Sequence, residues 1–313
     1  MKTKLTEAKF RSGLGRVGQF FSMVAFGAAI LSCSSASAQN MFVSGRDAGG
    51  GEIFKFTWDG KQSIFASGLY KPWDLAVDSA GNVFVVDYMI LGESIGNAAI
   101  FKITPNGMLS IFASRVSYAS SLAIDNTGNL FAADYDNGII YKYKPTGSRA
   151  TFATGLHHPV GLAFDSVGNL FVADNSVGNL YQGSIYKYKP DGSRVTIAVL
   201  NPGDRPADLA FDSMGNLYMA DLGGNIYKFN MTPPLRRQSR TTFGSVPNSA
   251  QSLAFDNAGN LLVVAGDVTT NGPVTPNMIY KFTQQGVRSA FVSGPSLNES
   301  FACLAFQPVA CCQ

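Results

Sequence analysis

Leu162-Ala163-Phe164-Asp165-Ser166-Val167-Gly168-Asn169-Leu170-Phe171-Val172-Ala173-Asp174 is the stretch from which the rest of the chain is read. An apolar tripeptide ends on Asp, two residues intervene, Gly-Asn follows, and an apolar run closes on a second Asp. The Gly supplies the positive φ of a tight turn, and the flanking apolar runs are strand-length. The same pattern starts at Leu75, Leu122, Leu209 and Leu253, with successive first Asp residues (Asp78, Asp125, Asp165, Asp212, Asp256) 47, 40, 47 and 44 positions apart. A period of 40 to 50 residues built from short strands is the mark of a radial repeat.

Each unit goes on in the same way. A strand such as Ile185-Tyr186-Lys187-Tyr188 follows, then a turn such as Pro190-Asp191-Gly192, then a last strand such as Thr151-Phe152-Ala153-Thr154. That gives four β-strands per unit, and no long amphipathic helix is predicted after residue 38. The chain after the leader begins on a second strand, Met41-Phe42-Val43, and ends on a first strand, Cys303-Leu304-Ala305-Phe306. The sequence therefore predicts an all-β, six-bladed β-propeller over residues 39–313, its ring closed when the C-terminal first strand pairs with the N-terminal three. Closure removes the open sheet edges that invite aggregation.

The first 38 residues read as a separate segment. Lys2, Lys4, Lys9, Arg11 and Arg16 precede an uncharged run from Phe20 to Leu31, and Ala36-Ser37-Ala38 offers small residues for signal peptidase. This predicts a secretory signal peptide over 1–38, cleavage before Gln39, and a secreted, periplasmic or cell-surface protein. An uncleaved anchor and lipidation at Cys33 are the alternatives. Ile30-Leu31-Ser32-Cys33 is similar to a lipobox, with Leu31 where a small residue is usual. Removal of the leader takes five basic residues and one acidic one, leaving 19 basic against 20 acidic. That balance offers no basic excess for nucleic acid, and no later stretch is long and apolar enough to span a bilayer. With 46% hydrophobic and 14% charged residues, the composition excludes a disordered chain. Cys303, Cys311 and Cys312 make an odd set near the C-terminus, and Cys303 is a candidate to bridge to either of the others.

The Leu-Ala-Phe-Asp-x-x-Gly-Asn-Leu-Phe-Val-Ala-Asp runs resemble those of the NHL-repeat propellers and their relatives, the gluconolactonase (senescence marker protein) family and the streptogramin lyases. The resemblance covers the whole chain after the leader. It implies a site at the central channel, and for a gluconolactonase a divalent metal held by Glu, Asn and Asp. The last two are expected two positions before the first-strand Leu. Here those positions are Trp73, Ser120, Val160, Ala207, Gln251 and Ala302, and the family's Glu-Gly-Pro start is absent. A streptogramin lyase would need a His-rich, Glu-containing signature from two blades. The two histidines here, His157 and His158, share one loop.

The short Asp-x-x-Gly-Asn and Pro-x-Gly turns belong to one rim. The other rim carries the longer loops 45–51, 88–98, 175–184 and 266–277, and binding is expected there. Immediately before the first-strand Leu stand Asp74, Ser121, Gly161, Asp208, Ser252 and Cys303. Asp74 and Asp208 are three blades apart, hence opposite. They are candidates to hold a divalent cation such as Ca²⁺ or Mg²⁺, to shift one another's pKa as catalytic groups with His158, or to cap backbone N–H groups. Lys71, His158 and Arg205 precede inter-blade prolines and could hold an anion. Trp73, Tyr88 and Tyr181 are candidate apolar contacts. Asp87, Asp134, Asp174 and Asp221 end the second strands; the NHL-like resemblance implies that each ties down the next loop, and pointing inward they would make the mouth acidic. The repeated lysines (Lys55, Lys102, Lys142, Lys187, Lys228, Lys281) are expected to cover apolar surface. The leading expectation is a binding module for a small molecule, glycan or protein. The alternative is a divergent metal-dependent hydrolase or lyase.

Overall fold

A computed structural model describes residues 39–47, 50–88, 98–175, 183–231, 240–266, 278–292 and 300–308. Tyr181, Cys33, Cys311 and Cys312, and most of the loops 88–98, 175–184 and 266–277, lie outside the described residues.

The sequence signature forms one turn, repeated. Asp165 Oδ1 accepts the Asn169 N–H at 2.8 Å, Asp165 Oδ2 accepts the Asn169 side-chain amide at 2.7 Å, and Gly168 stands at φ 86°. The same bonds link Asp78 to Asn82, Asp125 to Asn129, Asp212 to Asn216 and Asp256 to Asn260. Asp and Asn are thus needed for their side-chain oxygens and amide, and Gly for its left-handed backbone.

The described residues form 24 strands in six four-stranded antiparallel sheets. Blade 1 contains β1 (Met41–Asp47), β2 (Gly50–Phe56) and β3 (Gln62–Leu69). Blade 2 contains β4 (Pro72–Val77), β5 (Val83–Tyr88), β6 (Ala98–Ile103) and β7 (Leu109–Val116). Blade 3 contains β8 (Ala119–Ile124), β9 (Leu130–Asp134), β10 (Ile139–Tyr143) and β11 (Arg149–Ala153). Blade 4 contains β12 (His158–Phe164), β13 (Leu170–Asn175), β14 (Ser184–Tyr188) and β15 (Arg194–Val199). Blade 5 contains β16 (Pro206–Phe211), β17 (Leu217–Asp221), β18 (Asn225–Phe229) and β19 (Arg240–Ser245). Blade 6 contains β20 (Ser249–Phe255), β21 (Leu261–Gly266), β22 (Met278–Phe282) and β23 (Arg288–Val292). The last strand, β24 (Ser300–Phe306), completes blade 1 in the order β24-β1-β2-β3, pairing Val43 with Leu304 and Met41 with Phe306.

The inner strands β4, β8, β12, β16, β20 and β24 each touch the next, and β24 returns to β4, so the ring is closed. Closure is reinforced by Ser44, whose hydroxyl accepts the Cys303 N–H at 3.0 Å and donates to the Trp73 carbonyl at 2.9 Å. Gln307 N–H donates to the Asn40 carbonyl at 2.9 Å, and Gln39 Oε1 accepts the Asn257 N–H at 2.8 Å.

The core is six wedges, each shared by two neighbouring blades. Second strands such as β9 are buried at every position because both faces pack on a neighbour. A ring at the second position of these strands (Phe42, Phe84, Phe131, Phe171, Tyr218) meets an aromatic partner at 4.7–5.1 Å. Blade 6 has Leu262 there, and a cavity of about 360 Å³ lies beside it, lined by Phe56, Trp58, Phe291 and Phe306. Lys102, Lys142, Lys187 and Lys228 lie over those rings at 5.1–5.5 Å. The ammonium groups of Lys142, Lys187 and Lys228 also pair with the turn carboxylates of Asp125, Asp165 and Asp212 at 3.4–3.9 Å, so these lysines of the repeat engage through their charged ends.

Candidate binding site

On the loop-rich rim the inner strands open into a cavity of about 320 Å³ at the channel mouth. A backbone irregularity builds its wall. In five blades the register between first and second strands shifts just before the conserved Leu: between Pro72 and Leu75, Ala119 and Ser121, Pro159 and Gly161, Pro206 and Asp208, and Ala250 and Ser252. A β-bulge breaks the strict alternation of side chains. Consecutive residues therefore reach the same cavity: Trp73 with Asp74, Ser120 with Ser121, Ala207 with Asp208, and Gln251 with Ser252. The offset of the two acids by one residue from the gluconolactonase-type positions does not remove them from the channel.

The residues before each Leu form a polar belt in which one blade serves the next. Asp74 Oδ2 accepts the Leu122 N–H, and Ser121 Oγ accepts the Leu162 N–H at 3.2 Å. Asp208 Oδ2 accepts the Leu253 N–H at 3.0 Å and the Ser252 hydroxyl at 2.9 Å, and Ser252 Oγ accepts the Leu304 N–H at 3.3 Å. Gly161 has no side chain to offer, and a Cβ there would stand 3.0 Å from Asp208 Cα, so the belt closes by backbone approach. Each acid thus caps a backbone N–H of the next blade's inner strand, and both acids line the one cavity.

Burial raises both carboxyl pKa values. Asp208 is pushed from 3.8 to about 7, first by desolvation and then by the charge on Asp74. Asp74 is raised by burial, against opposing hydrogen bonds from the Cys303 thiol, the Leu122 and Leu75 amides and Ser121. Cys303 is buried and makes no disulfide among the described residues, and its thiol pKa is held well up by burial and by both carboxylates. Its expected bridge to Cys311 or Cys312 falls on residues outside the description.

Above this floor runs a row of rings. Trp73 meets Tyr88 at 6.2 Å, Tyr88 meets Tyr118 at 5.1 Å, Tyr118 meets Tyr135 at 5.4 Å, and Tyr135 meets the His158 imidazole at 4.4 Å. Trp73 and Tyr118 remain 40% and 36% exposed, and both line the cavity. Tyr88 stands behind them, its hydroxyl donating to the Ala119 carbonyl at 2.7 Å, and its own pKa rises with burial.

The other candidates stand apart from the cavity lining. Lys71 is exposed, with Nζ 5.9 Å from the centre of the Trp73 ring. Its N–H and that of Tyr70 donate to Asp87. Arg205 is exposed and its N–H donates to Asp221 at 2.7 Å. His157 and His158 donate their N–H groups to Asp174, and His158 Nδ1 is buried without a hydrogen-bond partner. Asp134 ties Asn137 in the loop ahead of it, as expected, and Asp221 ties both Gly223 ahead and Arg205 behind. Asp87 and Asp174 instead reach back to the loop before their own blade, a structural tie in the direction opposite to the one expected. Burial raises Asp87, Asp174 and Asp221 above the usual carboxylate range.

The donor set does not fit a resident divalent cation. Ca²⁺ and Mg²⁺ take about six or more oxygen ligands. Both acids already spend oxygens on backbone N–H groups, and no group of three His, Cys, Asp or Glu among the described residues is arranged to hold a metal.

Tyr118 and Tyr135 line the cavity without standing among the sequence candidates, and Gln251, named there only as a position without a metal ligand, lines it too. Tyr118 occupies the place that Lys71, His158 and Arg205 hold in their blades, four before the Leu, and Tyr135 follows its second-strand Asp as Tyr88 does. That alignment was available in the sequence.

A strictosidine synthase-like, N-terminal family model matches residues 193–229. No curated protein matches the sequence. Among solved structures the chain is similar to a gluconolactonase from Xanthomonas campestris, at 16% identity over 83% of this chain and 86% of that one, with a TM-score of 0.61. It is similar to the PQQ-bound aldose sugar dehydrogenase of Streptomyces coelicolor, at 15% identity over 77% and 90%, with a TM-score of 0.61. It is also similar to an inactive virginiamycin B lyase from Staphylococcus aureus with quinupristin, at 13% identity over 82% and 85%, with a TM-score of 0.54. These likenesses, all under 25% identity, show a shared propeller fold, the level at which the resemblance seen in the sequence holds.

Proposed function

We propose that the chain is an exported propeller that binds a small organic molecule at the channel mouth. The observation that carries this reading is the cavity of about 320 Å³ with an aromatic wall over a polar floor. A concave, mostly apolar site with a few convergent polar groups is the usual form of a small-molecule site. Export rests on the leader, and Gln39, already bonded to Asn257 and Gln307, supports a mature start there. The mass of the N-terminal peptide after secretion checks that start.

Trp73 serves as the reporter for binding. The chain has two tryptophans, and Trp58, 75% exposed, lies in a short turn of the opposite rim. In a Trp58→Phe variant, Trp73 emission is titrated with sugars, lactones, aromatic acids and amines. A saturable change with one class is the expected result. No saturable change across all of them overturns the reading.

A second reading follows from the acid pair. A protonated Asp208 beside Asp74 has the protonation state of a general acid near neutral pH. This favours a hydrolase or lyase in which Asp208 hands its proton to a carbonyl or leaving oxygen held under Trp73. Turnover of lactones or esters, lost in Asp208→Asn, is its test.

A further inference from the structure

The charges facing the cavity are unbalanced. Its lining includes Asp74 and Asp208 and no lysine, arginine or histidine among the described residues. The nearest cationic side chain named at the rim, Lys71, is exposed and lies over Trp73 rather than toward the floor. Two carboxylates in one desolvated site repel each other, and each has only neutral donors for partners.

The wall suits one sign of ligand. The faces of aromatic rings carry negative quadrupole potential and attract cations. Trp73, Tyr118 and Tyr135 all line the cavity, joined through Tyr88 by ring contacts of 5.1–6.2 Å. Two hydroxyl donors on this side are directed elsewhere: Ser120 to the Pro159 and Ala133 carbonyls, Tyr88 to the Ala119 carbonyl. An anion entering the site meets two acids and no cationic side chain among the described lining residues. A small hard cation meets aromatic carbon where it needs oxygen. A cation with a soft carbon shell satisfies both the wall and the floor.

We propose that the channel mouth takes an organic ammonium ion, its carbon shell against Trp73, Tyr118 and Tyr135 and its charge balanced by Asp74 and Asp208. The inference rests on the small-molecule reading of the same cavity and names the ligand class. Seating the cation relieves the repulsion between the two acids, so binding draws the shared proton off the pair. The groups that face the pair are Cys303 of β24, Ser121 of β8 and Ser252 of β20. Tyr118, Tyr135 and the exposed Asp136 stand at the rim, with His158 behind Tyr135 and Lys71 above Trp73.

The test is calorimetric titration of the full mature protein with choline and with dimethylbutanol, its uncharged analogue with carbon in place of the quaternary nitrogen. Choline is expected to bind at least about tenfold more tightly, a difference within the range of a desolvated cation–π site. At pH 6.5 its binding is expected to release protons, read from the heat in buffers of different ionisation enthalpy. Trp73→Leu, a change at a half-exposed residue that does not endanger folding, is expected to weaken choline severalfold and dimethylbutanol less than twofold. Asp208→Asn is expected to abolish the proton release. Equal affinity for the two compounds overturns the ammonium assignment and leaves the cavity a neutral-ligand site. Failure of both, while another neutral compound titrates Trp73, overturns it in the same way. Stoichiometric binding of Ca²⁺ or Mg²⁺ that displaces choline overturns it in favour of a metal.

Discussion

Replacing Asp208 by Asn should flatten the pH dependence of stability. The folded carboxyl titrates at about 7 against 3.8 in a free chain. A raised acid is bound to its proton more firmly in the fold, so its contribution is fully present below pH 3.8 and is lost as pH rises through about 7. The whole difference is worth about 4 kcal/mol, at roughly 1.4 kcal/mol per unit. About 2 to 3 kcal/mol of it falls between pH 5 and pH 8. One side of the carboxyl opens on the cavity, so about 2 kcal/mol is the expected measured loss in the wild type. Asparagine carries no charge to repel Asp74; its one carbonyl oxygen keeps the Leu253 N–H, while its amide leaves the Leu209 N–H without an acceptor, a loss that is the same at every pH. Urea unfolding of both proteins at half-unit steps from pH 5 to pH 8 reads the effect. The variant should be the less pH-sensitive of the two and the more stable at pH 8. Parallel curves, or a variant destabilised equally at every pH, would refute the argument that the two acids oppose each other in a desolvated channel.

Other perturbations test other parts of the ring. Asp174→Ala leaves the N–H groups of His157 and His158 without their acceptor and should cost about 1–3 kcal/mol in thermal unfolding, with the loop before blade 4 showing faster hydrogen exchange. Leu262→Phe should fill part of the seam cavity of about 360 Å³ and raise the melting temperature, by an amount equivalent to about 1 kcal/mol. A fall in melting temperature would mean that Phe291 and Phe306 leave no room for the ring. Cys303, buried and with its pKa raised, should resist alkylation at pH 8 in the folded protein and react once urea unfolds it, as peptide mass mapping can follow.

The fold could be read from the sequence because each element of the turn signature has a separate physical duty, and all recur together. Asp165 binds two groups of Asn169, Gly168 takes the left-handed backbone, and the apolar run buries both faces. The closing strand was legible for the same reason, since Cys303-Leu304-Ala305-Phe306 has the form of a first strand and Met41-Phe42-Val43 that of a second strand, and the two pair. The site was legible only in part. Asp74, Asp208 and Trp73 were found by position, but their joint access to one cavity depends on the register shift before Leu75 and Leu209. Strand periodicity does not report such a bulge. Lys71, His158 and Arg205 looked like ligand groups because they share a position. The structure uses their backbone N–H groups, tied to Asp87, Asp174 and Asp221, and gives the cavity to Tyr118 instead.

The pairing of β1 with β24 has a consequence in time. Val43 waits for Leu304, and Ser44 for Cys303 across 259 positions, before the first sheet has its inner edge. Everything emerging earlier from the ribosome is an open arc with an unpaired strand at one end. The ring cannot lock before Ser300–Phe306 has emerged. Contacts this distant in sequence are slow to form, and until that strand arrives the arc can still be drawn out as an extended thread. The same latch makes the closed ring hard to unravel from β1 or from β24, since pulling on one pulls on a strand that the other holds.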